Sequence, residues 1–479
     1  MIPISPAETD SPSASPPARH WRDLPSPPGW PVLGQLPGFD PLRAHLQFER
    51  WARELGTPYR LQLGPGYRVL VFDDPELAQQ ISRERPHTFT RGGRIQPVAA
   101  EMGFNGLFSV EGAAWEGQRR LIMQSLNATH FKGWFGTLAG ITARLHARWQ
   151  RAAAAGQVLE MTDEFKRFTV DVTSALAFGR DPNTIDDAHG DRVQQHLALV
   201  FPAFMKRVMT PFSYWKWLRL PQDRRVDRAL AAVHEHALDC IAAARAQLAT
   251  ADPASPRHAL EAMLLQQQAL GLGEGDIVAN VVTLLLAGED TTAHSLAWAV
   301  MYLATDAALQ DSWHRRARAA LGGAPVCPEH ATVHHLGGFE HLAFEALRLK
   351  PVVPFNGFEA PRDTVLAGIT VPARTKLFFI NRPSLTDPVR YPEPQRYDPG
   401  RWARDGAHDP RAFLQFGAGP RVCPGRHLAT VEMRLVLSML LANFELELGC
   451  EPGQIEEVNA FTMLPSRMPV LLRPRSHPR

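Results

Sequence analysis

The stretch Phe416 to Gly425, FGAGPRVCPG, places Gly417, Gly419, Gly425, Pro420 and Pro424 around Cys423. A dinucleotide fingerprint fails here, because Gly417-Ala418-Gly419 runs into Pro420, Arg421 and Val422 and the third glycine is missing. A zinc site fails for want of partners: His427 could be a second ligand, but no further pair follows at ligand spacing. What remains is a single thiolate ligand or a nucleophile. Leu428, Val431, Leu435, Met439 and Ala442 then make an apolar stripe at helical spacing, so Cys423 stands just before a helix N-terminus. The positive end of that helix and its free N–H groups favour thiolate over thiol. Gly417, Gly419 and Gly425 let the backbone approach a flat, bulky ligand with no Cβ between. Arg421 adds a cation suited to carboxylates on that ligand.

A thiolate, a flat partner and an arginine describe heme. FGAGPRVCPGRHLA resembles the heme-binding signature of the cytochrome P-450 family, Phe-Gly-x-Gly-x-Arg-x-Cys-x-Gly, at Phe416, Gly417, Gly419, Arg421, Cys423 and Gly425. The resemblance implies heme b with its iron ligated by Cys423. It also implies a monooxygenase that inserts one oxygen atom of O2 into a hydrophobic small molecule.

Oxygen chemistry on the far face of a heme needs a helix that can open locally and deliver protons. LLLAGEDTTAHS, Leu284 to Ser295, has that form, within a predicted helix of about 28 residues from Asp276, roughly 42 Å long. Ala287 and Gly288 remove side-chain bulk where a ligand could lie close. Asp290 and Thr291 place an acid beside a hydroxyl that can bond back to a carbonyl one turn earlier. The stretch resembles the family's oxygen-activating motif, which assigns Asp290 and Thr291 the catalytic acid and alcohol roles.

Glu345 and Arg348 are neighbours on one helix face at i,i+3, and YPEPQRYDPGRW follows at Tyr391 to Trp402. By resemblance Arg401 joins Glu345 and Arg348 in a buried ion network that fixes the cysteine loop, a structural role. Trp115 and Arg119, four apart in GAAWEGQRR, share a helix face and can both bond a heme propionate. Two positions depart from the family. The basic residue expected after the Glu345–Arg348 helix to reach a propionate is absent from PFNGFEAPR, where Phe355 to Phe358 stand, so Arg362 or a water would replace it. Arg374 stands where glycine is common.

These residues need elements to hold them. YRLQLGPGYRVLVF, Tyr59 to Phe72, alternates apolar and polar residues around Gly64-Pro65-Gly66 and predicts a hairpin. From about Pro75 to Lys350 the period is helical, and strand-like segments return at Pro351 to Pro383 and Met468 to Pro474. The fold class expected is mainly α with a small β-region, in one domain over 25–479 after a disordered Pro/Ser-rich tail at 1–24. PSPPGWPVLG, Pro25 to Gly34, reads as a rigid extended lead-in. The resemblance implies the family's triangular fold, with heme between the Asp276 helix and the cysteine loop.

The chain has 479 residues, a net charge of +2 and four well-separated cysteines. Nucleic acid is therefore no expected partner, and neither a disulfide framework nor a structural zinc is indicated. Ile277 to Gly288, the longest apolar stretch, falls short of the ~18 residues of a membrane span. No transmembrane anchor is expected; the setting expected is cytoplasmic and the chain a monomer. His330, His334, His335 and His341 are read as solvated loop residues, and the aromatic run FSYWKWLRLP, Phe212 to Pro221, as packing or a substrate lid.

No flavin or iron–sulfur module is expected within this length, so electrons derived from NAD(P)H would arrive through a separate ferredoxin or flavodoxin and its reductase. Arg120, Arg411 and Arg426 could guide an acidic donor. By family analogy the pocket walls are Phe89 to Phe108, Leu197 to Trp217, Ala279 to Ala287, Val352 to Phe358 and Phe461 to Met463. Two alternatives stand beside the monooxygenase: a peroxygenase or rearranging heme-thiolate enzyme without an electron donor, against which Asp290-Thr291 counts, and a non-catalytic heme sensor.

Overall fold

A computed structural model describes residues 19–187, 192–210, 213–250 and 255–475. Helices fill most of the chain between Pro75 and Leu349, interrupted by the short strand Val158–Glu160. The longest is a central helix, Glu274–Ala304, of 31 residues, or about 46 Å. Asp276 starts it by accepting the Gly273 N–H at 2.9 Å. Most of its residues from Ile277 to Leu303 are buried, which is why its sequence is apolar on nearly every face. It packs against Met161–Phe178, Glu340–Leu349 and Arg426–Asn443, so the helix that follows the cysteine loop touches the helix that carries Asp290.

The β-structure lies in small sheets. Tyr59–Gln62 and Arg68–Phe72 form the expected antiparallel hairpin, and Arg68–Phe72 pairs in parallel with Thr375–Ile380, which in turn pairs antiparallel with Phe355–Ala360. A second sheet joins Val158–Glu160, Pro469–Pro474 and Phe444–Leu448. The lead-in at Pro25 is tied to the hairpin by the Arg60 N–H, 2.9 Å from the Pro25 carbonyl, and turns back on itself where Trp30 and Gly34 exchange bonds of 2.8 Å.

One boundary is corrected. Of the segment read as a tail, Met1 to Ala18 lie outside the described residues, but Arg19 to Leu24 are ordered. Arg19–His20 pairs in parallel with the strand Ile369–Val371, and Trp21 and Leu24 are buried. An indole and an isobutyl group removed from water outweigh the loss of chain freedom that the Pro/Ser composition favours.

Candidate active site

The cysteine loop closes on itself through the Cys423 N–H, which donates to the Phe416 carbonyl at 2.8 Å. Gly417 and Gly419 turn it at φ +71° and +64°. A Cβ on Gly419 would lie 2.6 Å from the Ser82 carbonyl oxygen. Its bareness therefore seats the loop on the end of the Pro75–Arg83 helix, whereas room for a ligand was the reason expected. Gly425 does border the sulfur, since a Cβ there would stand 3.9 Å from Sγ. The helix Arg426–Asn443 begins immediately afterwards.

Protein surrounds Cys423 on nearly every side, yet the residue is exposed. The two together fit a side chain that faces a recess among closely placed protein atoms. Ala287 shows the same sign on the central helix, exposed although Leu285 and Leu286 beside it are buried. The expected preference for thiolate is corrected for the free side chain. Burial pushes the Cys423 thiol up, outweighing the pull of the Gly425 and Arg426 N–H groups and of the Arg119 and Arg426 charges. A bound metal ion would reverse this, because a coordinating thiol is deprotonated outright.

Around this recess positive charge is in excess. Arg421 Nη2 donates to the Val110 carbonyl at 2.8 Å and to Glu111 Oε2 at 2.7 Å, with its guanidinium 4.7 Å over the Trp115 ring. Arg85 Nη2 lies 3.2 Å from Glu111 Oε1, which also accepts the Arg91 N–H at 2.9 Å. Buried Nε atoms of Arg85, Arg91 and Arg421, and Nη1 of Arg421, have no hydrogen-bond partner among the described residues. Burial first, then mutual repulsion, brings Arg91 down to about 9 and Arg421 to about 10. Arg119, half-buried, adds its charge near Cys423. Sequence reading missed Arg85 and Arg91 because they lie in an irregular segment with no periodicity to point at them.

A flat metal complex bearing carboxylates fits this donor set: one thiol for a metal, and orphaned guanidinium N–H groups for anions. Of the replacements expected for the missing basic residue, Arg362 is exposed in the turn after Phe355–Ala360. Arg374 does take up the conformation that glycine favours, at φ +64°.

The acid–alcohol pair sits on an unbroken stretch of the central helix, without the local opening expected. Thr291 Oγ1 donates to the Ala287 carbonyl at 3.1 Å. Asp290 Oδ1 is 3.0 Å from Lys166 Nζ and 3.7 Å from His294 Nε2. His294, held down at about 4 by burial, is neutral, and its Nδ1 lies 2.7 Å from Thr462 Oγ1. Gly288 is corrected in its reason: a Cβ there would meet Thr173 Oγ1 at 2.6 Å, so the glycine admits the Met161–Phe178 helix and not a ligand. Glu432 was also missed. It is buried beside Thr292, and burial raises it to about 8, so it is protonated at neutral pH. A single acid inside the stripe of Val431 and Leu435 was the available signal.

Glu345, Arg348 and Arg401 come together, all buried. Glu345 accepts Arg348 Nε and Nη2 at 2.9 and 2.8 Å and Arg401 Nε at 3.1 Å. It also accepts Trp402 Nε1 at 3.1 Å and the Asp398 N–H at 3.0 Å. Phe344 carries this network to the cysteine loop, its ring 5.7 Å from Trp402 and 5.8 Å from Phe416.

Several of the expected wall segments meet. Phe108 and Phe461 lie 5.8 Å apart, Phe461 and Phe201 4.2 Å, and the Met463 N–H donates to the Val352 carbonyl at 2.9 Å. Trp217, at the end of one segment, is 89% exposed and is no wall. Trp215 in the aromatic run is buried under Arg207, and Phe212 lies outside the described residues. No helix among the described residues is long and apolar enough to cross a membrane.

With a mainly helical fold and a cysteine just ahead of a helix that packs against the long central one, the chain falls in the class of heme-thiolate monooxygenases. The chain belongs to the cytochrome P450 family, whose model matches residues 24–472. It is 28% identical over 447 residues to a cyclooctat-9-en-7-ol 5-monooxygenase of Streptomyces melanosporofaciens, covering 93% of each chain. It is 27% identical to the mitochondrial 25-hydroxyvitamin D-1 alpha hydroxylase of Mus musculus, over 87% of this chain and 83% of that one. A bifunctional cytochrome P450/NADPH--P450 reductase, ALT2 of Alternaria alternata, is 24% identical over 93% of this chain but only 40% of its own length.

Proposed function

We propose that Cys423 would hold the iron of a heme b and that the enzyme hydroxylates or epoxidises a hydrophobic small molecule. The observation that carries this is the sulfur that is enclosed yet accessible, beside buried guanidinium groups with unused N–H donors. Trp115, Arg119 and Arg421 would hold the carboxylates of the group, and Phe416, Gly417, Gly419 and Gly425 shape the loop that presents the sulfur. The heme, once bound, supplies oxygen activation, favoured by electron density from the thiolate.

The chain's own residues would handle the protons. Asp290 is tied to Lys166, so it must leave Nζ before its carboxyl can turn inward with a proton. Thr291 Oγ1 spends its hydrogen on the Ala287 carbonyl and keeps lone pairs free to accept from a water. The wall of Phe108, Phe201 and Phe461 excludes water and favours an apolar substrate such as a terpenoid, fatty acid, polyketide or aromatic compound. Two relatives named for cyclooctat-9-en-7-ol and 25-hydroxyvitamin D agree with that class.

Electrons derived from NAD(P)H would come through a ferredoxin or flavodoxin and its reductase. Exposed Arg120, Arg411 and Arg426 are candidates to meet an acidic donor, and their neutralisation should weaken donor binding at low salt. The deciding experiment is the carbon monoxide difference spectrum of the reduced protein beside Cys423→Ser. A strongly red-shifted Soret band that the variant loses supports the reading; no heme, or a band unchanged by the substitution, overturns it.

A further inference from the structure

Asp290, His294 and Trp298 recur every four residues along the central helix, so their side chains leave it on one face. The acid meets Lys166, and the two rings reach a different element, the hairpin of Glu457–Asn459 and Met463–Pro465. Asn459 pairs with Met463, which leaves Ala460, Phe461 and Thr462 as the tip. Trp298 Nε1 donates to the Met463 carbonyl at 3.4 Å, and His294 Nδ1 lies 2.7 Å from Thr462 Oγ1.

Charge fixes the base of this hairpin: Glu457 meets His45 Nε2 at 2.9 Å, Lys350 Nζ at 2.5 Å and Arg382 Nη2 at 2.5 Å. The tip closes through the Ala460 N–H, which donates to the Thr462 carbonyl at 3.1 Å, and takes no part in the strand pairing. Phe461 nevertheless has a set place, 4.2 Å from Phe201 and 5.8 Å from Phe108, on two separate segments of chain. His294 and Thr462 are both buried, so the bond between them is shielded from competing water and holds the tip where Phe461 meets those rings.

The imidazole is oriented for this bond. Its Nε2 is buried without a hydrogen-bond partner among the described residues and stands 3.7 Å from Asp290 Oδ1. A carboxylate on that side favours the proton on Nε2, which leaves Nδ1 to accept from the Thr462 hydroxyl.

We infer that His294 is a positioning residue for the substrate: through Thr462 it fixes Phe461 in the apolar wall and so sets which hydrophobic molecules the pocket accepts. The effect on specificity rests on the heme reading above; the pin between His294 and Thr462 does not.

The test uses full-length protein with His294→Leu, His294→Asn, His294→Gln, Thr462→Val or Thr462→Ser. Asn keeps a polar atom one bond beyond Cγ, where Nδ1 stood; Gln keeps one a bond farther out, where Nε2 stood; Leu keeps neither. Amide hydrogen exchange of the peptide 456–466 reads the pin. Soret titrations of the heme-loaded proteins read the wall, as the preference for 1-dodecylimidazole over imidazole. Loss of one buried hydrogen bond should raise exchange at the tip and lower that preference, each about fivefold, in His294→Leu, His294→Gln and Thr462→Val. His294→Asn and Thr462→Ser should stay near wild type, a rescue that a role in packing alone would not give. His294→Leu that matches wild type in both readouts would overturn the proposal, and so would faster exchange with an unchanged preference. His294→Asn as impaired as His294→Leu would overturn the assignment to Nδ1. Wild type that binds no heme would overturn the heme reading and the specificity with it, while exchange still decides the pin.

Discussion

Replacing Glu345 by alanine removes the one anion from a site where two guanidinium groups are shut away from water. Glu345 receives five donors, from Arg348 Nε and Nη2, Arg401 Nε, Trp402 Nε1 and the Asp398 N–H. Arg348 keeps the carbonyls of Leu385, Pro394 and Arg396, and Arg401 keeps those of Pro392 and Ala407, so neither cation has a route to solvent. Breaking a buried pair from one side costs about 3–5 kcal/mol, a large part of the ~5–15 kcal/mol of a whole domain. Glu345→Gln should fall between, because one of its two terminal positions becomes an NH2 that faces donors. Urea unfolding of the heme-loaded proteins would be followed by far-ultraviolet circular dichroism and by the Soret band. The Soret transition should move at least as far as the dichroism, because Phe344 links the network to Phe416. A loss for Glu345→Ala below about 1 kcal/mol, with the Soret band retained, would refute this account of what holds the loop.

Gly288→Ala sets a Cβ 2.6 Å from Thr173 Oγ1 and should cost about 1–3 kcal/mol in denaturant melts, with part of that regained in the double variant Gly288→Ala/Thr173→Ala. Glu432, raised from 4.5 to about 8 in the fold, keeps its proton while the unfolded chain loses it, so wild-type stability falls as pH rises through that window. Relative to Glu432→Gln the fall should be on the order of a few kcal/mol, and parallel pH profiles for the two proteins would contradict it. Lys166→Met frees Asp290 from a half-exposed ion pair worth about 1 kcal/mol or less. It should speed proton-limited NAD(P)H consumption a few-fold and shrink its solvent isotope effect; an unchanged isotope effect would mean that Asp290 need not leave Lys166.

The cysteine loop, the Glu345–Arg348 pair, the hairpin at Gly64-Pro65-Gly66 and the central helix were legible because each is written within a few turns of chain. Spacing alone brings Glu345 next to Arg348, and an apolar run bounded by Asp276 sets where the long helix starts. Contacts between distant segments were not legible. Gly288 and Gly419 are recognisable as glycines, but only the approach of Thr173 and of the Ser82 carbonyl decides what their missing Cβ is for. Lys166 on Asp290, Glu432 beside Thr292, and Arg85 and Arg91 around Glu111 likewise join residues from separate helices and loops. Cys423 shows the same division: the helix start and the nearby cations are read from its neighbours, whereas the protonation of its free thiol is decided by burial, which exists only once the chain has folded around it.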